Sequence, residues 1–211
     1  MHGDTPTASE AALVVFAKAP HPGRVKTRLV PVLGESGAAR LHARLVEDAL
    51  RVAAQARFAR IELHCAPRMR DPFFAALARR HRIALRAQGA GDLGARMRRA
   101  FERVLRTADA VVLIGTDCPV LRAADLRAAA RALRDGADAV FCPAEDGGYA
   151  LIGLRRVSSR LFSGIEWGSA TVMAHTRARL RGLQWHWREL RTVWDVDRPE
   201  DYARLKRSGL L

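Results

Sequence analysis

The segment 110–114 constrains the fold most strongly, because its five residues, Ala-Val-Val-Leu-Ile, are all apolar. A strand shows an unbroken apolar run when both faces of its sheet are covered, which is typical of a central parallel strand. The next five residues, from Gly115 to Pro119, read Gly-Thr-Asp-Cys-Pro and predict a loop. The segment therefore predicts a sheet with helices on both faces and a polar loop at the carboxyl end of one central strand.

The rest of the chain alternates short apolar runs with segments of helical periodicity. This alternation favours an α/β fold with three layers, α/β/α, around a mostly parallel sheet. The length of 211 residues favours one domain at 11–211, after a disordered lead-in at 1–10. Strands are predicted at 13–16, 61–65, 83–87, 110–114, 139–142, 149–154, 184–188 and 191–194, and helices at 36–56, 71–81, 93–105, 123–134, 169–181 and from Pro199 onward.

Composition narrows the classes of function. The net charge of +14 would suit nucleic acid, but the arginines are scattered along helical segments and aromatic residues are only 6%, so stacking platforms are scarce. We therefore favour a solvated basic surface and expect no nucleic-acid partner. The three cysteines show no Cys-x-x-Cys spacing, which argues against a disulfide framework and a zinc cluster. With no apolar run of about 20 residues and no secretion signal, we expect a cytoplasmic protein without membrane spans.

A basic loop is predicted after the first strand, in the stretch 16–29, which reads FAKAPHPGRVKTRL. Lys18 and Lys26 are two of only three lysines in the chain, and a compact ammonium on a flexible stem suits a polyphosphate. The stretch lacks the first glycine and the spacing of a Walker A motif, so we reject a P-loop nucleoside triphosphatase. The alternative is a solvated basic loop. The candidate phosphate-binding residues here are Lys18, Gly23, Arg24, Val25, Lys26, Thr27 and Arg28.

The segment 89–94 matches Gly-x-Gly-x-x-Gly between a predicted strand and a predicted helix. A Rossmann dinucleotide site is therefore a competing interpretation, with Asp117 as the acidic residue that such sites require further on. Two points argue against a Rossmann site: the match lies in the middle of the chain, and the site would give the lysine loop no function. A plain glycine-rich turn before a helix is a further alternative.

Asp117 follows the apolar strand at 110–114, where an unpaired buried charge would be costly. A divalent cation would relieve that cost, and Mg²⁺ prefers one or two carboxylates together with phosphate oxygens. Asp195 and Asp197 offer further carboxylates, although Asp197 could instead cap the helix that begins at Pro199. The histidines, His42 among them, show no metal-ligand spacing and are predicted to lie on the surface or in satisfied sites.

Two polar segments could contact a second substrate. Asp146 precedes Gly147 and Gly148, where the backbone can approach a ligand closely, although a tight turn between strands explains the same residues. Further on, the residues after Glu166 open a predicted helix whose free N–H groups could hold an anion, with Ser169 as an ordinary N-cap as the alternative. The candidate acceptor-binding residues are Asp146, Gly147, Gly148, Tyr149, Trp167, Ser169 and Thr171.

Five motifs in this order resemble a bacterial family of glycosyltransferase A-like proteins, often labelled radical-SAM/selenodomain-associated transferases. They are the stretches 16–29, 88–97 (QGAGDLGARM), 115–119 (GTDCP), 146–151 (DGGYAL) and 195–197 (DVD). The sequence is more distantly similar to cofactor guanylyltransferases. The resemblance covers nearly the whole chain, from Leu13 to Leu205, and implies a nucleotide-diphospho-sugar transferase fold.

The resemblance also implies roles for the motifs. The first loop would hold the phosphates of a nucleotide, and Asp117 matches the metal-binding aspartate, although the usual Asp-x-Asp is here Gly115-Thr116-Asp117. Asp195 or Asp197 would then supply the rest of the metal site. The segment 88–96 would lie near the base and ribose of a mononucleotide, through Gln88, Gly91, Asp92, Leu93, Gly94 and Arg96.

The resulting hypothesis is a transferase, dependent on Mg²⁺ or Mn²⁺, that uses a nucleotide or nucleotide-sugar donor and a small-molecule acceptor. Lys26, Asp117 and Asp146 are the predicted catalytic residues. Both glycosyl and nucleotidyl transfer rely on positioning and on charge neutralisation, so the sequence does not choose between them. A non-catalytic nucleotide-binding module and a basic nucleic-acid-binding protein remain as alternatives.

Overall fold

Seven strands form one sheet in the computed structural model, which describes residues 11–211. The predicted disordered lead-in at 1–10 lies outside these residues. The strands are β1 (Ala11–Lys18), β2 (Arg60–Ala66), β3 (Ala84–Ala87), β4 (Ala110–Ile114), β5 (Ala139–Pro143), β6 (Tyr149–Leu154) and β7 (Trp187–Glu189). Their spatial order is β3-β2-β1-β4-β6-β5-β7, and only β6 runs antiparallel to its neighbours. The predicted mostly parallel α/β sheet is confirmed.

Helices cover both faces of the sheet. They are α1 (Val30–Ala56), α2 (Pro72–His81), α3 (Leu93–Val104), α4 (Ala123–Arg134), α5 (Val172–Gly182) and α6 (Pro199–Arg207). Side chains of α1, α2 and α4 pack in one apolar cluster, and those of α3 and α5 pack in another. Among residues 11–211, none of these helices has the length and apolar character required to cross a membrane.

Strand β1 shows why both faces of the sheet must be covered by helices. Its side chains alternate, so that Leu13 and Val15 join the cluster of α1, whereas Val14 and Phe16 join the cluster of α3. Both sets are buried, with Val14 and Val15 each 0% exposed. Successive residues of a strand point to opposite faces, so a continuous apolar run needs an apolar layer on each side. The apolar run of β4 meets the same requirement.

Several predicted boundaries were wrong. The predicted strand at 191–194 is an irregular segment that touches the sheet only through the bridge of Val193 with Ala144. The strand predicted at 184–188 corresponds to β7, which is only three residues long and covers Trp187–Glu189. Gln184, with a left-handed φ of 52°, lies outside the strand. The first helix begins at Val30, before the predicted start, and is kinked at Gly34, where φ is 64°.

The two helix caps considered as alternatives, by Ser169 and by Asp197, do not form. Helix α5 begins at Val172, with Thr171 at its N-cap position and no side-chain hydrogen bond there, so Ser169 does not cap it. Helix α6 is capped by the carboxylate of Asp201, which accepts from the backbone N–H groups of Asp197 and Arg198. The Asp197 side chain is therefore left for another contact.

The topology places the loops after β1 and β4 side by side. The chain goes from β1 outward to β2 and β3, then returns to place β4 on the other side of β1. Ligands of open α/β sheets bind at such a reversal, beyond the carboxyl ends of the strands. Because β6 is antiparallel to β4, with Ile114 opposite Leu151, the start of β6 lies at this same edge. The fold thus gathers the first loop, the loop after β4 and the turn before β6.

One charged cluster is buried beneath α3. Glu62 on β2 is 1% exposed, and its carboxylate contacts Arg60 Nη2 and Arg103 Nη2 at 2.6 Å each and His64 Nε2 at 2.9 Å. The hydrogen bond with His64, followed by the guanidinium groups, outweighs burial and lowers the pKa of Glu62 from 4.5 to about 2. Burial also lowers the pKa of His64. An ionised Glu62 therefore stabilises the folded chain.

We predict that Glu62→Gln destabilises the protein at pH 7 and that the difference from wild type shrinks on acidification. The folded-state pKa lies below the ordinary value, so the contribution of Glu62 is complete above about pH 4.5 and is lost as the pH falls towards 2. Urea midpoints measured at pH 7, 4.5 and 3 check this. A difference between the two midpoints that stays constant with pH would contradict the assignment.

Candidate active site

A cavity of about 720 Å³ lies at the edge of the sheet where the first loop, the loop after β4 and the turn before β6 meet. Most of the residues singled out in the sequence line it. Those that do not are Gly23, Gly91, Asp92, Gly94, Gly147 and Thr171, which lie in the neighbouring loops and at the starts of α3 and α5. The lining residues from the predicted set are Lys18, Arg24, Val25, Lys26, Thr27, Arg28, Gln88, Leu93, Arg96, Asp117, Asp146, Gly148, Tyr149, Trp167, Ser169, Asp195 and Asp197.

Lys26 is the best-buried cation of the first loop. Its backbone is left-handed, with φ 48°, and its side chain is 4% exposed. Nζ donates to the carbonyl oxygen of Val196 at 2.5 Å and lies 2.5 Å from Oδ1 of Asp117. A buried ammonium needs such partners, because desolvation would otherwise cost several kcal/mol. In this structure Lys26 thus joins the first loop to the end of β4 and to the segment before α6.

Asp117 is ionised although part of it is buried. Its side chain is 50% exposed, but Oδ1 is buried, and this burial opposes ionisation. The ammonium of Lys26 prevails and lowers the pKa of Asp117 below its ordinary value. The exposed half of the carboxylate faces the cavity and is available to a further cation.

His42 is a site residue that the sequence interpretation missed. It lies on α1, is 5% exposed, and its Nε2 is 3.1 Å from the carbonyl oxygen of Lys18. Because a carbonyl only accepts, Nε2 carries the proton. Burial lowers the pKa of His42, so the ring is neutral and its buried Nδ1, 3.9 Å from Oδ1 of Asp117, is an unpartnered acceptor. The available signal was its position beside Leu41 and Leu45 on the apolar stripe of α1.

Three carboxylates converge on the cavity. Burial raises the pKa of Asp195 to about 6, and the nearby carboxylates of Asp146 and Asp117 add to the shift. This mutual repulsion is the feature that a bound cation would relieve. Asp197 differs, because its carboxylate forms an ion pair with Arg28. Within residues 11–211, no three His, Cys, Asp or Glu side chains are arranged to hold a metal ion by themselves.

Side-chain hydrogen bonds fix the segment 88–97 at the wall of the cavity. Gln88 is buried, and its Nε2 donates to the carbonyl oxygens of Ala17 and His64 at 3.0 and 2.9 Å, which holds β1 and β2 together at their ends. Asp92 caps α3 by accepting from Ala95 N at 2.7 Å. Gly94 must lack a side chain, because a Cβ would lie 2.6 Å from the ring of Trp167.

The turn before β6 is fixed by close backbone contacts. Gly147 has φ 89°, and a Cβ there would lie 2.0 Å from the carbonyl oxygen of Ala170. Asp146 Oδ1 accepts from Gly148 N at 2.9 Å. Tyr149, whose pKa is raised by burial, packs edge-on against Trp167 with ring centroids 6.4 Å apart. The result is a cavity wall that carries a carboxylate beside two aromatic rings.

The fold is that of the nucleotide-diphospho-sugar transferases. A "putative nucleotide-diphospho-sugar transferase" from Desulfovibrio desulfuricans G20 is 33% identical, with a TM-score of 0.87 over 95% of this chain and 88% of that one. The family described as uncharacterized proteins conserved in bacteria (DUF2064) matches residues 49–169, and the chain belongs to it. This confirms the predicted kinship with nucleotide-diphospho-sugar transferases.

More distant structures share the fold. CMP:2-keto-3-deoxy-manno-octonic acid synthetase, solved with CTP, is 14% identical with a TM-score of 0.58, over 95% of this chain and 98% of that one. Rv0371c from Mycobacterium tuberculosis H37Rv, solved with manganese, is 21% identical with a TM-score of 0.58, over 94% and 99%. No curated protein matches the sequence.

We predict that Gly147→Ala destabilises the protein by more than about 1 kcal/mol, because alanine is strained at positive φ and its Cβ would strike the carbonyl of Ala170. Gly148→Ala is the matched control, since it adds the same methyl group where φ is not positive and the closest atom is 3.2 Å away. Denaturant midpoints compare the two variants. Equal midpoints would contradict this account of the turn.

Proposed function

We propose that the protein is a divalent-cation-dependent transferase that uses a nucleotide or nucleotide-sugar donor and transfers a glycosyl or nucleotidyl group to a small acceptor. The observation that carries the proposal is the single cavity in which the cations of the first loop face the carboxylates of Asp117, Asp146 and Asp195. Cations suit the phosphates of a donor, and carboxylates suit a metal ion. The same chemistry is supported by three structures of this fold: one described as a nucleotide-diphospho-sugar transferase, one solved with CTP and one solved with manganese.

The first loop would hold the donor phosphates. Lys18, Lys26 and Arg28 all line the cavity, and each would neutralise part of the phosphate charge. The segment from Gly23 to Thr27 brings the backbone of Arg24 and Val25 to the same side. Leu93 and Arg96, at the start of α3, would face the base and ribose, while Gln88, Gly91, Asp92 and Gly94 maintain the cavity's shape.

The carboxylates fit a single Mg²⁺ or Mn²⁺ ion. Such an ion takes one or two carboxylates and completes its shell with water and phosphate oxygens, so a ready-made group of three side chains is not required. Asp117 and Asp195 would be its ligands, since Asp197 is engaged by Arg28. When bound, the ion would neutralise charge on the donor phosphates and on the departing group. Lys26 would then share Asp117 with the ion and reach the phosphates from the opposite side.

The acceptor would occupy the wall formed by the turn before β6. Asp146, which lines the cavity, would accept a proton from an acceptor hydroxyl, and Tyr149 and Trp167 would offer apolar surface. Gly147, Ser169 and Thr171 shape this wall, with the hydroxyls of the last two 2.9 Å apart. In glycosyl transfer the acceptor oxygen bonds to the anomeric carbon and a nucleoside diphosphate leaves. In nucleotidyl transfer it bonds to the α-phosphorus and pyrophosphate leaves.

We also propose a cytoplasmic location for the protein.

A nucleotide that binds this cavity should raise the melting temperature. A ligand at 100 times its dissociation constant stabilises a protein by about 2.7 kcal/mol, which for a chain of this size is roughly 5–10 °C. We predict such a shift for at least one nucleoside triphosphate or nucleotide-sugar in a panel measured with and without Mg²⁺ or Mn²⁺. Lys26→Ala should abolish most of it, while Lys206→Ala, which changes the one lysine outside the first loop, should not. A panel without any shift would overturn the proposal.

Turnover separates an enzyme from a binding module. We predict that Asp117→Asn lowers metal-dependent turnover of the shifting donor by at least about 100-fold, since the neutral amide is a poor ligand for the ion. Phosphorus NMR of the released pyrophosphate or nucleoside diphosphate, measured against candidate hydroxyl acceptors, checks this. Asp48→Asn, on the outer face of α1, removes the same charge away from the cavity. Binding without turnover in the wild type would instead indicate a non-catalytic nucleotide-binding protein.

A further inference from the structure

A second cavity, of about 390 Å³, adjoins the candidate active site. Gln88 and Arg96 line both cavities, so the two spaces share a wall at the end of β3. None of the roles assigned above uses this second space. Its volume lies within the range of small-molecule sites.

Arginines form one wall of the second cavity. Arg96, Arg99, Arg103 and Arg106 follow one another at spacings of three and four residues, which places them along one face of α3 and its C-terminal end. The floor includes His64, which is 1% exposed. The four arginines thus line one concave surface, where Arg99 and Arg106 are exposed and Arg96 and Arg103 are half-buried.

Little negative charge offsets these arginines. The only carboxylate in the lining is Glu102, and its Oε1 accepts from Arg98 Nη1, on the same helix, at 2.8 Å. Arg103 Nη2 donates to the carboxylate of the buried Glu62, whereas Arg103 Nε is buried and has no hydrogen-bond partner. Within residues 11–211, Arg106 takes part in no ion pair. Arg96 and Arg99 each donate one N–H group to a backbone carbonyl, of Gly91 and Ala90, and their other N–H groups remain for a ligand. The lining therefore keeps an excess of positive charge.

We propose that this second cavity binds the phosphate group of a small molecule. Guanidinium groups match the geometry of phosphate oxygens through paired N–H donors, and an arginine wall satisfies a dianion better than a monoanion. The shared wall at Arg96 allows one molecule with two anionic groups to reach both cavities. Single-stranded nucleic acid is disfavoured, because the lining contains no Phe, Tyr or Trp on which bases could stack. Phosphate binding in this second cavity does not depend on the proposed transferase activity.

The test is calorimetric titration with inorganic phosphate, with glycerol 3-phosphate and with a short RNA, each separately, on the full-length protein. Arg99→Gln/Arg106→Gln removes two charges from the cavity. Arg131→Gln/Arg134→Gln is the control of equal charge, because it removes two arginines from the exposed side of α4. Lys26→Ala removes the best-buried cation of the first loop and reports binding in the other cavity. Arg106→Gln alone serves if the double variant does not fold.

We expect the double variant at 99 and 106 to bind at least one probe at least about tenfold more weakly, since hydrogen bonds to charged groups are lost. The control and Lys26→Ala should keep that binding. Stronger binding of glycerol 3-phosphate would indicate an organic phosphate, and equal binding would indicate free phosphate. The proposal is overturned if wild type binds neither probe, if the control loses affinity equally, if Lys26→Ala alone abolishes binding, or if only a short RNA binds.

Discussion

The contact of Lys26 with Asp117 organises the functional edge of the sheet. One ammonium joins the first loop to the end of β4 and, through the carbonyl of Val196, to a segment 170 residues further along the chain. Both partners carry a cost alone, because Nζ is buried and Oδ1 of Asp117 is buried as well. Together they hold three separate segments around one cavity. The backbone of Lys26 is left-handed, which is unusual for a residue other than glycine. With this backbone, the side chain points inward towards Asp117 and Val196.

The same contact explains how opposite charges can share a small space. The acidic group of Asp117, Asp146 and Asp195 would repel a polyphosphate, and the cations of the first loop would repel a metal ion. Facing each other, they would under the proposed function favour a metal ion and a phosphate chain together over either alone. The raised pKa of Asp195 reflects burial and the nearby carboxylates of Asp146 and Asp117. This arrangement suits a site whose substrate supplies part of the metal's coordination.

The sequence predicted the layers and the gathering of the loops because these follow from local signals. Apolar runs predict buried strands, and the carboxyl ends of parallel strands share one edge of the sheet. The strand predicted at 191–194 was wrong because its apolar residues, Val193 and Trp194, are buried by packing, and only the single bridge of Val193 with Ala144 pairs the segment with the sheet edge. Asp197 does not cap α6, because Arg198 takes the N-cap position and the Asp197 carboxylate pairs with Arg28. The burial of His42 depends on a carbonyl 24 residues away, which no local pattern encodes. The roles of the gathered residues stay predictions.

The large positive charge has a structural explanation that does not involve nucleic acid. Many guanidinium groups donate to backbone carbonyls at turns: Arg96 to Gly91, Arg99 to Ala90, and Arg179 to Arg160, Ser163 and Gly164. An arginine can satisfy several carbonyls at once because its fork of N–H donors is planar and permanently charged. The chain thus uses arginine to fasten loops, and this use adds charge without any carboxylate to balance it. Two of the three lysines lie in the first loop, where the compact ammonium of Lys26 fits between a carboxylate and a single carbonyl.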